Sequence, residues 1–249
     1  MQLPFLLVAT FVAFTNAQIP QAIGYGVDLT QYGSLQNFQC IRNLRYSYAF
    51  VGVYNSFGNG SIFYHAAQNV VNAQYAGLNV HIVHSPAPQS VKSGAVQFYE
   101  SYNALRAANI IPHTIFLQIT SPISWPNNPQ RNIAFITDFV NAAARANVHV
   151  AFYTNWYDWQ QITANWVTTP RLLWYWNTLG NGVQASGADD FNDFRPFGGF
   201  TSAHIGVKQY TRKLGACGVV FNRNRFVTNL VLAQAQAVRL DVKKQEAKQ

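Results

Sequence analysis

Carboxylates are scarce in this chain. Only nine Asp and Glu residues occur among 249, and those ahead of the C-terminal tail are Asp28, Glu100, Asp138, Asp158, Asp189, Asp190 and Asp193. Acid–base chemistry on a substrate calls for a positioned group that donates a proton and another that accepts one or stabilises charge. Glu100 and Asp138 fall inside helical patterns, where a charge on the outer face is the ordinary reading. Asp158, in YTNWYDW, is either a cap or first-turn acid at a helix start or a carboxyl whose pKa rises among aromatic rings beyond a strand. Asp189, Asp190 and Asp193 either cap turns and pair with Arg195 or rim a groove.

A second group of candidates is neutral. In TIFLQITSPISW, residues 114–125, side chains alternate along a strand, so Phe116, Gln118 and Thr120 share one side and Leu117 and Ile119 the other. If the first set faces inward, Gln118 and Thr120 stand at the strand end. There an amide and a hydroxyl either hydrogen-bond a ligand or satisfy one another, but neither can replace a carboxylic acid. The six histidines show no metal-ligand spacing, His81 and His84 should point to opposite faces of one strand, and no metal or organic cofactor is expected.

Eight strand-like runs must position these groups: 25–29, 48–54, 79–85, 113–120, 148–154, 172–176, 205–210 and 218–222. Helical patterns at 66–77, 95–110 and 131–148 alternate with the early runs, with Gly77 as a stop and Pro129 near a start. This order predicts an α/β fold, an incomplete TIM-like (β/α) barrel of eight mostly parallel strands with fewer helices in the last third. Chemistry then belongs at the C-terminal strand ends, where the loops converge.

The flanks bound the setting. Residues 1–17 carry a short apolar run ending in Thr15-Asn16-Ala17 and read as a cleaved leader, so a secreted or lumenal product is expected. Residues 18–228 read as one domain without linker or repeat, and residues 229–249 as a basic helical tail. In an oxidising compartment Cys40 and Cys217 are expected to pair, with two buried thiols as the alternative. Asn59 opens the one glycosylation sequon, Asn59-Gly60-Ser61. The net charge of +8 permits binding to anionic polymers without identifying one.

Several segments in order, YGVDLTQYG, IFLQITSPISW, AFYTNWYDWQQI, LLWYWN and VKQYTRKLGACGVVFN, resemble the nematode-type branch of the glycoside hydrolase family 25 (Chalaropsis-type) lysozymes. The resemblance runs from about Gly24 to Phe226. It implies a groove for the amino-sugar chain of bacterial peptidoglycan, and cleavage of the β-1,4 bond after N-acetylmuramic acid. Neither a nucleic-acid partner nor stable membrane insertion is expected, and the protein should be a monomer. The family pattern sets an Asp at the end of strand one, Asp-x-Glu at the end of strand four and Asp on strand eight. Asp28 matches the first, whereas Gln118, Thr120 and Asn222 stand at the others. The resemblance therefore points to a lysozyme-like protein of antibacterial defence that binds peptidoglycan without the family's proton donor. The alternative is an active muramidase using Asp28 with a relocated acid such as Asp158. Tyr153, Trp156 and Trp174 are the aromatic candidates for facing the groove, where flat rings suit sugar faces.

Overall fold

Strands such as YAFVGVYN are apolar on both faces, and that pattern is stable only where each face is covered. The computed structural model describes residues 23–228 and 238–240. The expected leader lies outside the described residues, as does the tail except residues 238–240. In chain order the elements are β1 (Ile23–Leu29), α1 (Leu35–Asn43), β2 (Tyr48–Asn55), β3 (Ser61–Ile62), α2 (Ala66–Tyr75), β4 (Asn79–His84) and α3 (Gly94–Ala107). There follow β5 (Ile110–Ile111), β6 (Thr114–Gln118), α4 (Pro129–Arg145), β7 (His149–Thr154), α5 (Trp156–Thr163), β8 (Leu173–Trp176), β9 (Ile205–Ala216), β10 (Val219–Val227) and β11 (Arg239–Leu240).

Eight of these strands close a barrel in the order β1-β10-β9-β8-β7-β6-β4-β2, with β2 returning to pair with β1. The pairs from β1–β2 through β8–β9 are parallel, while β10 runs antiparallel to both β9 and β1. The mostly parallel eight-stranded barrel expected from the alternation is therefore present. Helices follow the early strands, and none of the α-helices falls between β8 and β10, where the chain instead makes a long loop and a hairpin.

Inward and outward residues build separate cores. Tyr48, Phe50, Val83, Phe116, Ala151, Trp174, Val207 and Phe226 fill the barrel interior. Ala49, Val51, Ile82, Ile115, Leu117, Val150 and Phe152 face out into the layer beneath the helices. In β1 the inward positions are Gly24, Gly26 and then Asp28. A Cβ on Gly24 would come within 2.2 Å of the Phe226 ring, so glycine there makes room for an aromatic from β10. Helix α4 shows how the outer layer forms: Asn128 accepts a hydrogen bond from the Arg131 amide, Pro129 opens the first turn, and Phe135, Ile136, Phe139, Ala142 and Ala143 are buried. Burying a Phe side chain of this kind contributes roughly 1.5–3 kcal/mol.

The structure corrects several expectations. Helix α1 was not visible as a periodic pattern, because its nine residues bury only Phe38 and Ile41; it is fixed by its Ser34 cap and by the Cys40–Cys217 disulfide, Cα–Cα 5.6 Å. Strands β9 and β10 are longer than their apolar runs, because hairpin pairing extends a ladder past the buried segment. Within the expected tail helix, Arg239 and Leu240 instead pair antiparallel with Ile111 and Ile110. Backbone pairing to an open two-residue edge here overrides a helical pattern. Glu100 and Asp138 are more than surface charges: Glu100 accepts from Tyr54 Oη at 2.5 Å and pairs with Lys92 at 2.8 Å, and Asp138 accepts from the Ala95 amide at the start of α3, 2.8 Å.

Candidate functional site

Asp28 ends β1 directly across from Asn222 of β10 and beside Phe50 of β2. Three amide groups surround it. Asn222 Nδ2 donates to Oδ1 at 2.7 Å, while Asn224 Nδ2 and Gln209 Nε2 donate to Oδ2 at 2.7 and 2.9 Å. Burial pushes the Asp28 pKa above the usual carboxylate value, against the downward pull of these amides. Gln209 continues the network, accepting from Tyr153 Oη at 3.1 Å. Asn222 and Asn224 lie two residues apart on one face of β10, opposite Asp28 and Gly26 in an unbroken ladder with β1, so both reach one carboxylate.

Asp28 lies at the floor of a cavity of about 130 Å³ whose lining includes Thr30, Ser85, Gln118, Tyr153, Gln209, Arg212 and Asn222. Gln118 accepts from Ser85 Oγ at 2.5 Å and donates to Thr120 Oγ1 at 2.8 Å. Ser85 and Gln118 also line a neighbouring cavity of about 210 Å³, together with Thr120, Ser121 and Trp125. Gln118 therefore stands with Ser85 on the wall shared by two openings at the barrel mouth, Thr120 lines the second of them, and Phe116 lies in the interior. Asp28 is the sole carboxylate among the described residues lining these two cavities.

A third and larger cavity, about 420 Å³, opens beyond β8 between Asn155, Trp156, Trp176, Asn177, Asn192, Asp193 and Arg195. Trp176 joins it to the mouth, since the Arg212 guanidinium lies 5.9 Å over the Trp176 ring. The lining is rich in amides and aromatic edges, suited to hydroxyl and acetamido groups.

The other predicted residues fall in different places. Tyr153 faces the mouth and Trp156, 39% exposed, faces the large cavity. Trp174 does not face a groove: at 0% exposure it sits in the barrel interior, stacked 4.1 Å beneath Tyr153. Alternation points both rings inward, and the stagger of the tilted strands sets Trp174 below Tyr153. His84 packs outward on Tyr54 and Phe139 and bonds Ser101, while His81 lies in the barrel between Tyr48 and Phe50. Burial pushes each histidine down to about 3, so both are neutral. Asn59 is exposed in the β2–β3 turn. Among the described residues no three His, Cys, Asp or Glu side chains gather as a metal site requires.

The loop acids meet expectation in part: Asp190 caps a turn and Asp193 lines the large cavity, but none pairs with Arg195. Asp193 pairs with Lys208 at 2.7 Å and accepts from Tyr175 and Asn177, Asp189 pairs with Arg225 at 3.5 Å, and Asp190 caps the Asn192 amide. Arg195 stacks on Trp156 instead of joining them. Burying the Lys208 ammonium demanded the nearest carboxylate, which left Arg195 without one. Residues missed by sequence reasoning are Gln209, Asn224 and Arg212. Their hairpin reaches the mouth only through the β9–β10 pairing, and the inward alternation Val207, Gln209 was the available signal.

Asp158 is the third residue of α5, whose cap is Asn155, as a first-turn acid would be. It is nevertheless 2% exposed, and its Oδ2 accepts from Trp176 Nε1 at 2.8 Å. Burial raises its pKa to about 6. A carboxyl whose folded pKa lies above its unfolded one binds its proton more tightly when folded, so this group favours folding below about pH 4 and loses that contribution as pH rises through about 6. Asp158→Asn should therefore gain stability relative to wild type, on the order of 3 kcal/mol, between pH 4 and 7. Urea unfolding of both proteins across that range measures it; a constant difference would contradict the assignment.

Comparison with known proteins adds the following. The profile of a family described as "Lysozyme-like protein 1" matches residues 20–210. "Lysozyme-like protein 7" of Caenorhabditis elegans is 38% identical over 210 residues, 84% of this chain and 74% of that protein. "Probable GH family 25 lysozyme 2" of Dictyostelium discoideum is 28% identical, covering 80% of this chain and 89% of that one. The structure of a bacterial lysozyme from Streptomyces coelicolor superposes with a TM-score of 0.62 at 19% identity, over 85% of this chain and 98% of that one, a similarity of fold.

Proposed function

Because the chain belongs to the lysozyme-like proteins of the glycoside hydrolase family 25 type, we propose that it is a secreted protein of antibacterial defence that binds peptidoglycan and does not cleave it. One observation carries this reading. Among the described residues the two cavities of the mouth present a single carboxylate, Asp28, held by three amides, and the flanking positions are Gln118, Thr120 and Asn222. Glycoside hydrolysis ordinarily uses two carboxyl groups, one of which protonates the leaving oxygen. An amide lacks an acidic proton, and the Tyr153 hydroxyl is pushed well above its usual pKa by burial and by the Asp28 charge. What remains is a groove of amides, hydroxyls and rings that can hold hydroxyl and acetamido groups in place.

The rival reading, a muramidase that pairs Asp28 with Asp158, draws on the Asp158 pKa of about 6, which suits a proton donor. Against it, the Asp158 carboxyl is buried, bonds Trp176, and lines none of the three cavities. Incubation of purified protein with insoluble peptidoglycan separates the readings. Co-sedimentation with the wall and no rise in reducing ends is expected. Release of reducing ends that disappears in Asp158→Asn would establish the muramidase instead.

A further inference from the structure

Carboxylates near the groove are hydrogen-bonded, whereas two of its cations are in no direct ion pair, although the Arg212 charge reaches Asp28 and Asp158. Asp28 is held by amides, Asp158 by Trp176, and Asp193 by Lys208. Among the described residues neither Arg195 nor Arg212 forms an ion pair. Both are exposed, and each guanidinium lies over an indole, Arg195 over Trp156 at 5.1 Å and Arg212 over Trp176 at 5.9 Å. A guanidinium that packs by its face keeps its in-plane N–H fork for an acceptor, and that fork matches a carboxylate bidentately. Arg212 lines the Asp28 cavity and Arg195 the larger one, and Trp176 lies between them. Each of the two cavities thus carries a positive charge held over an indole ring.

Resting on the wall-binding reading above, we infer that Arg195 and Arg212 select for anionic glycan, by pairing with the free lactyl carboxylates of muramoyl units that carry no stem peptide, which plain N-acetylglucosamine chains lack. Lysines in these places would be weaker readers, since an ammonium neither stacks as flatly nor presents two parallel donors. Ordinary surface packing of the two arginines on tryptophan would produce no preference between ligands.

Affinity is measured by calorimetry for two probes of equal length, peptide-free peptidoglycan strands with free lactyl carboxylates and neutral chitin oligosaccharides. Wild type should bind the strands about tenfold or more tightly than the chitin chains, because a hydrogen bond to a charged group contributes about 1.5–3 kcal/mol and 1.4 kcal/mol is tenfold. That preference should shrink with added salt. In Arg195→Gln/Arg212→Gln the ratio should fall to near one, and Arg195→Lys/Arg212→Lys should restore part of it. Equal wild-type affinity for the two probes, or a preference that survives the glutamine substitutions, overturns the inference and leaves wall binding standing. Wild type that holds neither probe overturns the wall-binding reading and the inference together.

Discussion

Gln118→Asp combined with Thr120→Glu is expected to release reducing ends from peptidoglycan at least about 100-fold faster than wild type, since a positioned general acid contributes roughly 10²–10⁴-fold. Gln118 lines both cavities at the mouth, of about 130 and 210 Å³, and Thr120 lines the larger of these two, into which the longer Glu would extend. The pair lies on the same mouth as Asp28, whose carboxylate is fixed by its amides before any ligand arrives. Catalysis would thus need only the missing proton source. Reducing-end assays on insoluble wall, with each single variant as control, make the measurement. A double variant that folds and binds wall yet stays silent would show that the neutral pair is not what prevents cleavage. Adding Asn222→Asp would then ask whether the family's last acid is also required.

Cys40→Ser with Cys217→Ser is expected to cost about 5 kcal/mol of stability, the amount that the chain-entropy model assigns to a closed loop of this length. The two residues are separated by 177 positions. For a domain of this size that corresponds to a melting temperature lower by roughly 10–20 °C. The bridge ties α1 to the turn of the β9–β10 hairpin, which Asn37 also grips through the Cys217 carbonyl at 2.8 Å. That hairpin supplies Gln209, Arg212, Asn222 and Asn224 to the mouth, so wall binding should weaken along with stability. Thermal unfolding and wall co-sedimentation of the double variant test both parts. A melting temperature within about 2 °C of wild type would mean that strand pairing alone holds the hairpin.

Most of the barrel was legible because its strands are buried on both faces and its early helices show a 3.6-residue period. YAFVGVYN and PQRNIAFITDFVNAAAR carry those signals openly, and their bounds in the structure differ little from the patterns. Helix α1 carried none, since it covers the barrel with two buried residues and depends on a cap and a disulfide. The short ladder between β5 and β11 was equally silent, because a two-residue pairing leaves no periodicity in the sequence.

The site divides along a similar line. Asp28, Gln118 and Thr120 could be placed from alternation within single strands, because side-chain direction is a local property of the backbone. Alternation also put Trp174 on the inward side, but depth along the barrel axis decides between groove and interior, and depth depends on how neighbouring strands are staggered. Which acid meets which base was likewise decided in three dimensions. Lys208, buried on the outer wall of the barrel, took Asp193, and Arg195 was left over Trp156. Sequence by itself determined the residue types available, above all the shortage of carboxylates and the neutral pair at positions 118 and 120. Only the tertiary structure decided that Asn222, Asn224 and Gln209 converge on Asp28, since strands far apart in the chain become neighbours through closure of the barrel.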